Sequence, residues 1–272
     1  MKHGQLAINS ISTRGGFEET LNAYAAAGFR NVEFYLGHVK EYLKGGHSPA
    51  DVRRLLEAHG QRCIGGFEGV VETFSDEPSR RKNHAAVAEN ARLLSELGGK
   101  VLVVGTDGAN LNAVDDAAGR IAETFAAVAA QIEGTGVQLA LEFNWGAVKS
   151  LPLAAEIARR SGAANVGVLF DPAHYHCTPT KFEDLTADNV RFIKHVHVDD
   201  MNGKPPELSN CNSDRALPGQ GTLDLRAIYG RLEEHGYGGY FSIEMFSDEL
   251  WNLPVREAAQ QMYQSLLRLC DD

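Results

Sequence analysis

Along nearly its whole length the chain alternates short apolar runs rich in β-branched and aromatic residues with longer stretches whose apolar residues recur every three or four positions. These are the periods of a strand and of an amphipathic helix. Strands are predicted at 6–10, 31–36, 62–67, 100–105, 137–143, 166–170, 192–198 and 240–245, with helices at 16–27, 49–59, 80–97, 115–133, 151–160, 182–189, 223–235 and 255–269. Ser48 before Pro49 reads as an N-cap with proline at the first helical position, and Gly28, Gly60, Gly98 and Gly236 stand where helices should stop. Strand–helix units joined by right-handed crossovers form either a doubly wound open sheet or a closed barrel. Eight units without a second domain favour a single (β/α)8 TIM barrel spanning 1–272.

The composition, 43% hydrophobic and 23% charged, is that of a soluble globular protein with one large core. A formal net charge of -10 repels polyanions, so nucleic acid is not an expected partner. Cys63, Cys177, Cys211 and Cys270 form no paired motif, which argues against a disulfide framework and for a reducing compartment. No apolar run approaches the roughly 18–20 residues needed to span a bilayer, and the expected location is the cytoplasm without a membrane partner. Homo-oligomerisation is left open. The segment 199–221, with Pro205, Pro206, Pro218, Gly219 and Gly221, departs from the alternation and is expected to be a long functional loop.

Four side chains then demand an explanation. Glu142, Asp171, His197 and Glu244 each end or follow an apolar run read as a buried strand, in units five to eight. A charged group there is costly unless paired. In a barrel all four would meet at the C-terminal mouth, where catalytic groups gather. Three carboxylates and an imidazole suit one divalent ion, and Mn²⁺, Mg²⁺, Co²⁺, Fe²⁺ and Zn²⁺ all remain open.

The strings Leu-Glu142-Phe, Phe-Asp171-Pro-Ala-His174, His195-Val-His197-Val-Asp199-Asp200, Asp214-Arg215-Ala-Leu-Pro218-Gly219-Gln220-Gly221 and Ile-Glu244-Met-Phe resemble the xylose-isomerase-like TIM-barrel family of sugar isomerases and epimerases. The Arg215 string and the tail Phe246-Ser-Asp-Glu-Leu-Trp251 are most similar to its 2-keto-myo-inositol isomerase branch. The resemblance implies that Glu142, Asp171, His197 and Glu244 hold the metal, and that Glu142 and Glu244 are the acid/base pair. It implies an isomerase or epimerase of a small polyhydroxylated ketone, a keto-inositol or ketose, working through an enediolate. His174 and Arg215 would touch substrate oxygens, with Glu33 as a further contact and Phe143, Trp145, Phe246 and Trp251 as an apolar wall. His195, His176 and Asp200 would support the ligands from behind.

One departure stands out. Ketose 3-epimerases of the family place an arginine six positions after the metal histidine, where this chain has Gly203. Either Arg215 replaces that arginine or the substrate differs. Dehydration of an inosose or of 3-dehydroshikimate is the alternative, since the same enolate can expel a β-hydroxyl. An apurinic endonuclease is disfavoured, because Phe67-Glu68 and Gly105-Thr106-Asp107 offer no histidines for a three-metal site. An inactive binding subunit is disfavoured by the presence of all four ligands. No phosphate-binding glycine loop is convincing, and an unphosphorylated substrate is expected.

Overall fold

In the computed structural model, which describes residues 1–108 and 113–270, the first half of the chain forms β1 (Leu6–Asn9), α1 (Phe17–Ala27), β2 (Asn31–Tyr35), α2 (Leu36–Lys44), α3 (Pro49–Ala58), β3 (Arg62–Val71), α4 (Glu77–Leu97), β4 (Val101–Thr106), α5 (Ala117–Ile132) and β5 (Gln138–Glu142). The second half forms α6 (Leu151–Ser161), β6 (Val166–Phe170), α7 (Pro172–His176), α8 (Ala187–Val190), β7 (Ile193–Val198), β8 (Asp200–Met201), β9 (Arg215–Ala216), α9 (Leu225–Glu234), β10 (Phe241–Ile243), α10 (Asp248–Trp251) and α11 (Val255–Leu267). Strands β1 to β7 and β10 pair in parallel and close into a barrel in the order β1-β10-β7-β6-β5-β4-β3-β2. The predicted (β/α)8 barrel is therefore the fold.

Alternation along each strand divides the core in two. Outward residues such as Val32, Phe34, Leu102, Val104, Leu139, Leu141, Val168, Phe170 and Phe241 are buried in the layer shared with the helices. Each such fully buried side chain contributes about 1.5–3 kcal/mol of transfer free energy. Val101, Val103, Ala140 and Leu169, with Phe67, form a separate cluster inside the barrel. Glu142 lies two residues beyond Ala140, and Asp171 lies two beyond Leu169. The same period that buries the small interior cluster therefore turns both acids inward at the mouth.

The structure corrects several expectations. Predicted helix 182–189 is broken into a 3-10 turn, Phe182–Asp184, and the single-turn α8. The Asp184 carboxylate takes the Lys181 N–H, and Thr186 caps Asn189, so local side-chain bonds divide the segment. Helix α2 was not predicted; it begins directly at the end of β2 and buries Leu36 and Val39. Strand β3 runs to Val71 past a register shift between Phe67 and Val70, with Gly69 at φ 76°.

The long segment after β7 is not structureless. β8 and β9 pair antiparallel, Met201 opposite Arg215. Asp200 organises the return: its two carboxylate oxygens accept N–H groups from Met201, Gly219, Gly221 and Leu223 at 2.8–3.0 Å. A Cβ on Gly221 would stand 2.3 Å from Asp200 Oδ1, so only glycine lets the backbone wrap that carboxylate. His176 Nε2 lies 3.1 Å from the Lys204 carbonyl oxygen and 3.2 Å from Ser209 Oγ, tying α7 to the same segment.

Candidate functional site

The four strand-end residues converge. One ligand atom from each of Glu142, Asp171, His197 and Glu244 lies within 4.8 Å of the others, and all four residues are buried. His197 Nδ1 is 3.3 Å from Glu244 Oε2, 3.4 Å from Asp171 Oδ2 and 3.8 Å from Glu142 Oε1. A divalent ion about 2.0–2.2 Å from each of four tetrahedral donors would space those donors about 3.3–3.6 Å apart, close to these separations. His197 Nδ1 is also buried without a hydrogen-bond partner. An orphaned nitrogen facing three carboxylates fits a metal ligand.

Each of the four side chains is held from outside the cluster. His197 and His195 each present Nε2 to Glu33, at 3.2 and 2.9 Å, so the buried Glu33 carboxylate accepts from both rings and leaves His197 Nδ1 to point into the site. Burial would raise the Glu33 pKa, but the two imidazoles hold it well below the usual carboxylate range. Glu33, expected as a substrate contact, is fully buried beneath the site and does not line this cavity.

Asp171 is the N-cap of α7: its Oδ1 accepts the His174 N–H at 2.9 Å, and Pro172 starts the helix. The Phe-Asp-Pro-Ala-His string thus fixes one oxygen of Asp171, frees the other for the site, and returns His174 to the mouth in the same turn. His174 Nε2 is 3.1 Å from Glu142 Oε1. Burial opposes charge on His174, but Asp171, a hydrogen bond with Cys211, and Glu142 together raise its pKa well above the ordinary value. Burial raises the pKa of Glu142 despite His174. Burial likewise opposes charge on His197, and Glu244 and Glu33 outweigh it and raise its pKa.

Arg215 reaches in from β9. Its side chain is fully buried: Nη2 donates to Asp171 Oδ2 at 3.0 Å, and Nη1 donates to Glu244 Oε2 at 3.1 Å and to the Glu244 carbonyl at 2.8 Å. Nη1 is also 2.8 Å from Asp199 Oδ2. Glu244 Oε1 accepts from Asn9 Nδ2 at 3.0 Å. Burial would raise the Asp171 pKa, but Arg215 and His174 hold it far below its ordinary value.

Above these groups lies a cavity of about 210 Å³ walled by Phe67, Trp145, Phe246, Asn144, Cys211 and Asn212, with Glu142, His174, Arg215 and Glu244 at its base. Trp145 sits there because Gly105 leaves room: a Cβ on Gly105 would stand 2.6 Å from the indole. Gly146, at φ 107°, then passes so close that a Cβ would be 1.8 Å from the Thr106 carbonyl oxygen. Trp251 does not line the cavity; its indole N–H binds the Ile11 carbonyl, and its ring packs edge-on against Phe246 with Arg14 over it. Phe143 is likewise fully buried behind the wall, near Phe170 and His174. Asn9, Phe67, Asn144, Cys211 and Asn212 are not among the site residues expected from the sequence. Asn9 carried a signal, since it ends the apolar run Leu6-Ala-Ile just as the ligands end theirs. A larger groove of about 620 Å³ between α1 and α2, lined by Phe17, Phe34 and Tyr42, contains none of the converging acids.

A parallel eight-stranded barrel with one imidazole and three carboxylates gathered at its C-terminal mouth is a TIM barrel with a candidate metal site beside a small cavity. The chain is a member of the xylose isomerase-like TIM barrel family, whose model matches residues 21–269. It is 29% identical over 97% of its length to a 3-dehydroshikimate dehydratase of Pseudomonas aeruginosa, of which it spans only 42%. It is 27% identical over 93% of its length to an inosose isomerase of Bacillus velezensis, of which it covers 92%. Among solved structures, the crystal structure of IolI protein with a zinc atom bound superposes with a TM-score of 0.88 at 24% identity, covering 97% of both chains. A D-psicose 3-epimerase in the presence of D-fructose superposes at 0.73 with 16% identity, covering 97% of each. Among the described residues no helix is long and apolar enough to cross a membrane.

Proposed function

We propose that this protein is a metal-dependent enzyme that moves a proton on the carbon beside the carbonyl of a small, uncharged polyhydroxy ketone, isomerising or epimerising it. The observation that carries this reading is the orphaned Nδ1 of His197 facing Glu142, Asp171 and Glu244 at the base of a cavity that two of those acids also line. Those four residues would hold the ion, and the zinc atom bound in the structurally similar IolI supports a divalent metal in this barrel. When bound, a divalent ion supplies positive charge to the ketone and its neighbouring hydroxyl and acidifies the C–H between them.

The residues of the chain do the rest. Glu142 and Glu244 approach the cavity from strand ends on opposite sides of β6 and β7, so one can remove the proton and the other return it. His174 steadies Glu142 and can donate to a substrate oxygen. Phe67, Trp145 and Phe246 exclude water and offer faces to the C–H surface of a ring, while Asn144 and Asn212 can meet its hydroxyls.

Neutrality of the substrate follows from charge. Among the described residues Arg215 and His174 are the basic side chains lining the cavity, and each is already paired with carboxylates. Beyond the ion, the described residues leave no unpaired basic side chain on the cavity wall for a carboxylate or phosphate, which favours a keto-inositol or ketose over 3-dehydroshikimate. Dehydration of an inosose is the second reading, supported by inosose dehydratase relatives such as that of Serratia proteamaculans, 23% identical over 90% of the chain.

Proton NMR in D2O of metal-loaded protein with keto-inositols and ketoses tests this. Exchange at the carbon beside the carbonyl, lost in Glu142→Gln and Glu244→Gln, is expected; retained hydroxyls mean isomerisation, and a new alkene or methylene means dehydration. Exchange that persists in both variants would refute the acid/base roles.

A further inference from the structure

Arg215 grips the same oxygens that face His197. Asp171 Oδ2 is 3.4 Å from His197 Nδ1 and 3.0 Å from Arg215 Nη2, while Glu244 Oε2 is 3.3 Å from His197 Nδ1 and 3.1 Å from Arg215 Nη1. A carboxylate oxygen has two lone-pair directions, so each can serve the guanidinium and an ion at once, but as a weaker donor to each. The planar fork also sets the spacing between the two oxygens, which one ammonium could not do.

We propose that Arg215 is a positioning residue that fixes Asp171 and Glu244 for the ion and, by its charge, deliberately weakens the site's hold on that ion, linking metal occupancy to the β8–β9 hairpin. This rests on the metal-site reading above. The arginine is built in from several sides. Its Nε donates to the Cys211 carbonyl at 2.8 Å, its guanidinium lies 5.0 Å from the centre of the Phe246 ring, and the fully buried Asp199 is its third acidic partner. Asp199 has no contact with the four ligands other than through this cation among the ion pairs described, and both of its oxygens otherwise lack hydrogen-bond partners. Cys211 and Asn212 line the cavity wall from the loop that Arg215 closes. The residue that loads the ligand oxygens therefore also anchors the part of the wall that substrate would touch.

Sign separates this role from a merely structural one. If Arg215 only kept the ligands in order, removing it would weaken metal binding. If it also opposes the ion, removing a unit positive charge in contact with two ligand oxygens tightens binding, by about tenfold or more in a partly shielded site. Turnover should nevertheless fall about 10- to 100-fold, through kcat, because Glu244 and the loop lose their held pose.

The test is calorimetric titration of the metal-free protein with Mn²⁺ and, separately, Zn²⁺, for wild type, Arg215→Met, Arg215→Lys and the charge-balanced pair Asp199→Asn with Arg215→Met. Tighter binding in Arg215→Met, a smaller gain in the double variant, and Arg215→Lys close to wild type in affinity but reduced in kcat are the expected result. Unchanged or weaker binding in folded Arg215→Met overturns the proposal while leaving the metal-site reading intact. Absence of any metal binding by wild type would sink that reading itself. Failure of all three variants to fold would make Arg215 a fold-holding group and overturn the positioning role.

Discussion

Glu33→Gln is the most informative single change beneath the site. The native carboxylate accepts from His195 Nε2 at 2.9 Å and from His197 Nε2 at 3.2 Å in full burial. Glutamine keeps the shape but has one acceptor oxygen, and its amide N–H2 must face an imidazole N–H. One charge-assisted bond becomes neutral and the other is replaced by two opposed donors, a loss of about 3 kcal/mol when hydrogen bonds to charged groups contribute about 1.5–3 kcal/mol. For a chain of this size that is a fall in Tm of roughly 6–12 °C. His197 also loses the partner that leaves Nδ1 free, so metal affinity should fall about 10- to 100-fold.

The pH dependence has a definite sign. The folded pKa of Glu33 lies below its unfolded value, so its contribution is fully present above the unfolded carboxylate range, about 4.3, and disappears only as pH falls through the lower folded value. The carboxylate's own share of the stability gap between wild type and Glu33→Gln should therefore be full above about pH 5.5 and close in stronger acid. The share carried by the raised His197 pKa is instead full below about pH 6.5 and declines as pH rises through the folded value. Thermal unfolding across pH and metal titration measure both effects. A Tm within about 2 °C of wild type with unchanged metal affinity would show that Glu33 does not orient His197.

Two further outcomes follow from the same geometry. Asp200→Ala strands four backbone N–H groups that its carboxylate now serves, so urea unfolding should show a loss of about 4 kcal/mol, and a loss under about 1 kcal/mol would mean the segment holds itself. Metal binding should tighten as pH rises, because Glu142, His174 and His197 all have raised pKa values in the ion-free protein and must shed protons to the extent that they ligate; calorimetry in buffers of different ionisation enthalpy should detect about one proton or more released, and none released would contradict it.

The barrel was legible because eight repeats of one local pattern leave few ways to bury their apolar faces. Four site residues were legible for a related reason: charge at the end of an apolar run has no local explanation, so Glu142, Asp171, His197 and Glu244 stood out one strand at a time. The same reasoning overlooked Asn9, whose side chain is neutral and short and raised no comparable cost. The depth of Glu33 is not legible either, because an inward-facing acid near a strand end looks alike in sequence whether it lies at the mouth or one layer down. Trp251 was placed on the cavity wall by its proximity in sequence to Phe246, and α10 turns it away towards Ile11.

Local period and charge therefore determined the strand count, the direction in which each acid points and the end of the barrel where they meet, since these depend on backbone geometry repeated within a few residues. Contacts between distant segments were decided only by the tertiary structure. That Glu33 pairs with histidines 162 and 164 positions away, that Asn9 holds Glu244, and that Arg215 bridges Asp171, Asp199 and Glu244 are facts of barrel closure and of where one hairpin returns. No local propensity encodes them, because each depends on the depth at which a side chain lies inside a closed barrel, and depth appears only once all eight strands have registered.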